Sequence, residues 1–252
     1  MITSAIKGSV ELLKVLKESL SQVYETREAE NISVIVIEYF FEMSKTQILM
    51  DAPFTQFDAE LLNNLNECVT RLLKHEPVQH ILGETEFFGL PFYVNKNVLI
   101  PRPETEELVD WVLTDNKEIE SFRLLDLGSG SGCIPIAIKK EKKKAEIVAI
   151  ELSHDALTVA KDNADLNQVK IYWIQDNILD FGYEVDKKFD IIVSNPPYIT
   201  LPEKKVMEKN VLDYDPKIAL FVEDEDPLLF YKHIAEYANL HLRTKGYLYF
   251  EI

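Results

Sequence analysis

The amino-acid sequence predicts a parallel, doubly wound α/β sheet with covering helices, a smaller helical domain in front of it and a β-hairpin connecting the two. From Arg123 onward, short apolar runs alternate with segments of helical period, the pattern of βα units feeding one parallel sheet. The first of these runs empties into the glycine-rich turn Gly128-Ser129-Gly130-Ser131-Gly132, as a ligand-binding strand-to-helix turn does. Before residue 75, apolar residues recur at helical spacing. A length of 252 residues accommodates such a sheet and a small attachment, and 46% hydrophobic content is too apolar for a disordered acidic chain.

Taken in order, Ala5 to about Leu20 and Arg27 to Met43 carry apolar residues near helical spacing, such as Leu12, Leu13, Leu16 and Leu20. Asp51-Ala52-Pro53 interrupts the pattern, and Phe57, Leu61, Leu65, Val69 and Leu72 rebuild a long apolar face. Short helices of this kind bury their stripes only against one another, so residues 1 to about 75 read as a small bundle. Thr85–Phe88 and Phe92–Val94 flank Gly89-Leu90-Pro91 and predict an aromatic hairpin that Pro101 and Pro103 stop. A helix then begins near Thr105, with acids in its first turn where they favour the helix dipole. The sheet is expected from strands at Arg123–Leu127, Ile147–Glu151, Lys170–Ile174, Phe189–Val193 and Tyr247–Ile252, with helices after Gly132, through Asp155–Asn163 and around Pro227–Leu240.

The charge balance of 27 bases against 43 acids gives −16. Up to residue 80 there are seven bases and twelve acids, and beyond it twenty and thirty-one, so neither part is a basic nucleic-acid module. Lys139, Lys140, Lys142, Lys143 and Lys144 read as a solvated helix end. No run reaches the roughly 18–20 apolar residues of a membrane helix, and the first residues lead into an amphipathic segment, so a soluble, cytoplasmic chain is expected. Cys68 and Cys133 have no C-x-x-C spacing, and the five histidines fall in different elements without metal-site spacing, so no disulfide framework and no metal are expected.

The legible chemistry lies at the strand ends. Glycines let the backbone turn tightly and approach a ligand, which assigns Gly128, Gly130 and Gly132 to nucleotide binding. Glu151 closes the next strand 23 residues after Gly128, where a carboxylate accepts both ribose hydroxyls. Asp176 follows the third strand and is expected at the amino edge of an adenine; Asp126, just before the glycines, suits loop orientation or a water-bridged cationic amino group. The spacing lacks the lysine of a phosphate loop, and Cys133 stands where a dinucleotide fingerprint has its third glycine, so an adenosyl ligand without a pyrophosphate, S-adenosylmethionine, is favoured.

Asn195-Pro196-Pro197-Tyr198 follows the strand Phe189–Val193 directly and shares its crevice with the glycine turn. The arrangement predicts methyl transfer to a planar nitrogen. The Asn195 side-chain carbonyl accepts one substrate N–H, the Pro196 carbonyl accepts the other, Pro197 restricts the backbone and Tyr198 packs on the planar group. Positioning and electrostatics then supply the acceleration, and no residue is assigned as general base. An adenine amine and a glutamine side-chain amide both fit this slot; the charge of −16 favours the protein acceptor over DNA or RNA. A non-enzymatic nucleotide-sensing adaptor accounts for the glycine turn and the helices but leaves Asn195–Tyr198 unexplained.

Glu76–Gly83 (Glu-Pro-Val-Gln-His-Ile-Leu-Gly), Ile100–Glu106 (Ile-Pro-Arg-Pro-Glu-Thr-Glu), Asp126–Gly132 and Asn195–Ile199 together resemble the peptide-chain-release-factor glutamine N5-methyltransferase family (PrmC/HemK) over nearly the whole chain. The resemblance implies a Rossmann-like S-adenosylmethionine-dependent methyltransferase domain over residues 105–252, a β-hairpin linker over 81–104 and a helical release-factor-binding domain over 1–80. It implies methylation of the glutamine in the Gly-Gly-Gln loop of class 1 release factors, release of S-adenosylhomocysteine, no stable nucleic-acid or membrane partner, and a monomer. Gly128, Gly130, Glu151 and Asp176 match the family's cofactor positions, Asn195, Pro196 and Tyr198 its glutamine-positioning motif, and Arg102, Pro103 and Thr105 the approach to the cofactor crevice. The chain departs from the pattern at Tyr214-Asp215-Pro216 and Phe221–Pro227, where an acid is shortened and a glycine-rich turn is missing. Family members continue past Phe250-Glu251-Ile252 into two more strands, so the last strands of the sheet are expected to be missing here.

Overall fold

The computed structural model describes residues 2–3, 6–54, 57–182, 187–197, 214, 216 and 226–252. They form two compact units, Met1–Leu82 and Gly83–Ile252. The hairpin expected as a linker therefore folds as part of the second unit.

The first unit is helical: α1 (Ser9–Leu20), α2 (Thr26–Phe41), α3 (Lys45–Leu49), α4 (Ala59–Leu72) and α5 (Val78–Leu82). The amphipathic stripes converge as their spacing predicts, with Leu12, Leu16, Leu20, Ile37, Leu65 and Leu72 in one core. α1 starts at Ser9, later than the apolar pattern, because extended Gly8 caps it. A Cβ on Gly8 would stand 2.4 Å from Asp51 Oδ1, and that same oxygen accepts the Val10 N–H at 3.0 Å. Glu42, in the left-handed region at φ 51°, ends α2. The short α3 carries a capping box, Ser44 with Gln47, which the apolar periodicity does not reveal.

The second unit opens with the antiparallel pair β1 (Glu84–Phe87) and β2 (Leu90–Tyr93), then α6 (Pro103–Asp115). Helix α6 starts two residues ahead of the expected Thr105 because Pro103 occupies its first turn, where a missing N–H costs nothing. There follow β3 (Arg123–Leu127), α7 (Cys133–Glu141), β4 (Glu146–Glu151), α8 (His154–Leu166), β5 (Tyr172–Gln175), β6 (Phe189–Ser194), α9 (Leu229–His241) and β7 (Leu242–Phe250). The sheet order is β5-β4-β3-β6-β7, with every pairing parallel. The order reverses at β3, so β3 and the adjoining strands β4 and β6 end at the topological switch point where such sheets bind ligands.

Both faces of the sheet are covered, which explains unbroken runs such as Leu124-Leu125 and Ile147–Ile150. On one face Leu124, Ile147 and Ile191 meet Val109 and Val112 of α6 and Ile134 of α7; on the other, Leu125, Ile150 and Ile192 meet Ile234 and Ala238 of α9. Two buried asparagines, Asn163 in α8 and Asn167 at its C-cap, tie the hairpin down. Asn163 accepts the Tyr93 N–H at 2.6 Å and donates to the Tyr93 and Ser131 carbonyls, while Asn167 donates to the Pro91 carbonyl at 2.8 Å. Glu106, an acid of the first turn of α6, accepts the Phe88 N–H at 2.7 Å and so anchors the hairpin as well as favouring the dipole.

The last strand is longer than its apolar run suggests and begins at Leu242. Residues 243–246 are absorbed by a register shift between Phe189 and Ile191 of β6. Gly246 lies so close to the Asp190 and Arg243 carbonyl oxygens that a Cβ would stand 3.0 Å from each. Among the described residues no helix is long and apolar enough to cross a membrane.

Candidate active site

The carboxyl ends of β3, β4 and β6 open into a cleft of about 290 Å³, walled by the glycine turn, by Glu151–Ser153, by Asn177–Leu179, by Asn195 and Pro197, and by Arg102 and Thr105 at the start of α6. The sheet thus brings most of the sequence-assigned residues into one crevice. The glycine turn is made by left-handed backbone, with φ of 79° at Gly128, 54° at Gly130 and 80° at Gly132.

The three glycines differ in what they face. A side chain on Gly130 would stand in open space, whereas a Cβ on Gly132 would lie 2.9 Å from the Trp173 ring and 3.2 Å from the Ala160 Cβ. Gly132 therefore permits close packing of the turn on β5 and α8, and Gly128 and Gly130 present backbone to the cleft.

Glu151 fastens the turn. Its Oε2 accepts the Gly130 N–H and its Oε1 the Ser153 N–H, both at 2.8 Å, and each carboxylate oxygen keeps a further lone pair for the cleft. Asp176 is turned to its own loop, accepting the Asn177 N–H at 2.8 Å and the Gly182 N–H at 2.9 Å, so it shapes the Asn177–Leu179 wall. Asn195 donates from Nδ2 to Thr105 Oγ1 at 3.3 Å. Pro196 is buried, and Tyr198 lies outside the described residues, as do Asp215 and Phe221–Glu225 of the departing segment.

Asp126 sits beneath the turn, fully buried, and neither carboxylate oxygen has a hydrogen-bond partner among the described residues. Burial pushes its pKa up to about 7; neighbouring Ser129 opposes the shift and the charge of Glu151 adds to it. The folded protein keeps this proton up to about pH 7, but the unfolded chain releases it near the ordinary 3.8, so stability falls as pH rises through that window. In chemical unfolding of the ligand-free protein, Asp126→Asn is expected to gain on the order of 2–4 kcal/mol relative to the parent between pH 4 and pH 8. A difference independent of pH would contradict this assignment.

Cys133, at the start of α7, also lines the cleft, but burial pushes its thiol up to about 12, which excludes a thiolate nucleophile. Among the described residues no group of three or more His, Cys, Asp or Glu could hold a metal ion. The loop Asn177–Leu179, Phe230 and the segment Asn97–Leu99 line the cleft without a sequence motif to mark them. Glu251, beside Asn195 at the end of β7, carried a legible clue: it ends a strand on the ligand side of the sheet.

The donor set fits a cationic adenosyl ligand. Glu151 and open glycine backbone face the cleft, Asp126 adds a buried carboxyl below it, and among the described lining residues Arg102 is the single base, so a pyrophosphate would find little to pair with.

Comparison with known proteins matches residues 11–83 to the PrmC N-terminal domain and residues 106–212 to the Methyltransferase small domain. The release factor glutamine methyltransferase of Flavobacterium psychrophilum is 46% identical over 93% of this chain and 83% of that protein. The protein of the same name from Bacteroides thetaiotaomicron is 40% identical over 94% of this chain and 84% of its own length, and that from Lactococcus lactis 41% over 81% and 73%. With a helical first unit, a parallel sheet and Asn195 facing a glycine turn, this chain belongs to the release factor glutamine methyltransferase family.

Proposed function

We propose that this chain methylates the side-chain amide nitrogen of the glutamine in the Gly-Gly-Gln motif of class 1 peptide chain release factors, with S-adenosylmethionine as donor. The observation that carries the reading is the placement of Asn195 and the glycine turn in one cleft at the switch point of the sheet, in a chain of this family. Bound S-adenosylmethionine supplies an electrophilic methyl carbon on a sulfonium. The backbone at Gly128 and Gly130 and the Glu151 carboxylate would hold the ribose; Gly132 sets the turn against the sheet. Asp176 fixes the Asn177–Leu179 wall, which would stand beside the adenine, Asp126 would orient the glycine turn from below, and Arg102 and Thr105 line the crevice at the start of α6.

Asn195 Oδ1 and the Pro196 carbonyl accept the two amide protons of the glutamine, Pro197 stiffens the strand exit and Tyr198 packs on the amide plane. These contacts hold the neutral nitrogen in line with the methyl carbon and weaken its lone-pair delocalisation. With both partners so held, the donor would supply its methyl carbon, sulfur would keep the electron pair of the C–S bond, and the amide would give its surplus proton to water. Residues 1–80 supply the surface that holds the release factor, residues 81–104 join it to the transferase domain 105–252, and the reaction belongs in the cytoplasm, where translation terminates.

Radiolabelled methyl offered with a release factor, its Gln→Ala loop variant and DNA or RNA separates the reaction classes. Label on the intact release factor alone is expected. Label on nucleic acid would establish an adenine methyltransferase, and no label with retained cofactor binding would favour a sensing adaptor.

A further inference from the structure

Strand β7 runs parallel to β6, with Phe250 opposite Ser194, and the Glu251 N–H donates to the Ser194 carbonyl at 3.1 Å. The backbone thus fixes Glu251 alongside Asn195. Thr105 and Asn195 are the neighbouring side chains that favour the charged form of its carboxyl. Thr105 is 3% exposed, and Glu251 Oε2 is buried with no hydrogen-bond partner among the described residues.

We infer that Glu251 is a positioning residue of the transfer site, holding the Asn195 amide, directly and through Thr105, so that its NH2 faces Thr105 and Glu251 and its Oδ1 is left for the acceptor. This rests on the function proposed above. The reason is the donor and acceptor inventory. An ionised carboxylate only accepts, and a hydroxyl has a single proton to give. With the Thr105 proton given to Glu251, the Thr105 oxygen accepts from Asn195 Nδ2, the 3.3 Å contact seen here. A flipped amide would turn Oδ1 toward a carboxylate and lose that bond. Substrate recognition through Asn195 Oδ1 therefore depends on an acceptor two side chains deep.

Burial, the largest effect, raises the Glu251 pKa above the ordinary carboxyl range; Glu104 adds to the shift, and Arg102 opposes it together with Thr105 and Asn195. Cys133 of α7 also faces the group, and the Tyr231 hydroxyl of α9 donates to the Glu251 backbone carbonyl at 3.0 Å. Lowering the pH protonates Glu251, gives it a proton to donate and releases the constraint on the amide.

The test uses the full chain with Glu251→Gln, Thr105→Val and Thr105→Ser, each checked by circular dichroism and by S-adenosylmethionine affinity. Glu251→Gln is expected to lower kcat about 10–100-fold, with KM for the release factor and cofactor Kd each within about 3-fold. The acid limb of the kcat profile should vanish in Glu251→Gln, Thr105→Ser should restore most of what Thr105→Val loses, and the two losses should not add in the double variant. An independent arm follows the Asn195 side-chain NH2 signals by 15N NMR; they should titrate with Glu251 in the parent and not in Glu251→Gln. Unchanged kcat, an acid limb that survives in Glu251→Gln, or NH2 signals indifferent to Glu251 would overturn the role. A parent protein that methylates no release factor but whose Asn195 signals titrate with Glu251 would uphold the arrangement and overturn the proposed function alone.

Discussion

Replacing Asn195 with alanine is expected to lower the single-turnover methyl-transfer rate by about 10²–10³-fold, the cost of losing a preorganised polar group at the reacting atom. The effect is so large because, in the proposed reaction, Asn195 Oδ1 accepts a hydrogen bond from the very nitrogen that attacks, a contact that would strengthen as that nitrogen becomes positive. Cofactor affinity should move less than about 3-fold, since the cofactor's main holders, the glycine turn and Glu151, are positioned by backbone and by each other. Quench-flow with saturating cofactor measures the rate and calorimetry the affinity. Equal rates in the two proteins would remove Asn195 from the chemistry, and a matched fall in rate and affinity would make it a cofactor ligand instead.

Glu151→Ala is expected to weaken S-adenosylmethionine binding by about 100-fold or more, from two charge-assisted hydrogen bonds at roughly 1.5–3 kcal/mol each. The carboxylate has two tasks. It ties Gly130 and Ser153 by their N–H groups at 2.8 Å, and in the proposed complex its remaining lone pairs would accept the ribose hydroxyls. Alanine loses both, and glutamine keeps one acceptor oxygen, so Glu151→Gln should fall between, near 10-fold. At saturating cofactor the transfer rate should change less than the affinity, because Glu151 stands on the opposite side of the crevice from Asn195. Calorimetric titration of both variants decides the point, and affinities equal to the parent's would place the ribose elsewhere.

Periodicity and turn chemistry made the sheet and the mouth of the cleft legible in the sequence. Strands β3, β4 and β6 lie close to where their apolar runs place them, and one rule, that ligands bind beyond the carboxyl ends of parallel strands, brings Gly128, Glu151 and Asn195 together. What escaped were contacts between side chains and distant backbone. Asn163 holds Tyr93 across 70 residues, and nothing in the spacing of either element announces it. Asp176 is expected from the sequence at the amino edge of an adenine; its hydrogen bonds to the N–H groups of the loop that follows are not legible there. The start of β7 was obscured because Lys245, at φ 69°, and Gly246 interrupt the apolar pattern while the strand continues across the register shift. Glu251 follows the apolar end of β7, and its place beside Asn195 shows only through the parallel pairing of β6 and β7.

A total charge of −16 disfavours a nucleic-acid partner, and Glu151 is the acid that lines the cleft, with Asp126 buried beneath the glycine turn and Glu251 next to Asn195 at the end of β7.

Fragmentation mass spectrometry of a release factor incubated with this protein and S-adenosylmethionine is the most direct measurement. One added methyl group on the side-chain amide of the Gly-Gly-Gln glutamine, absent with Asn195→Ala, is the expected result. A release factor that stays unmodified, or a methyl on any other residue, would contradict the account.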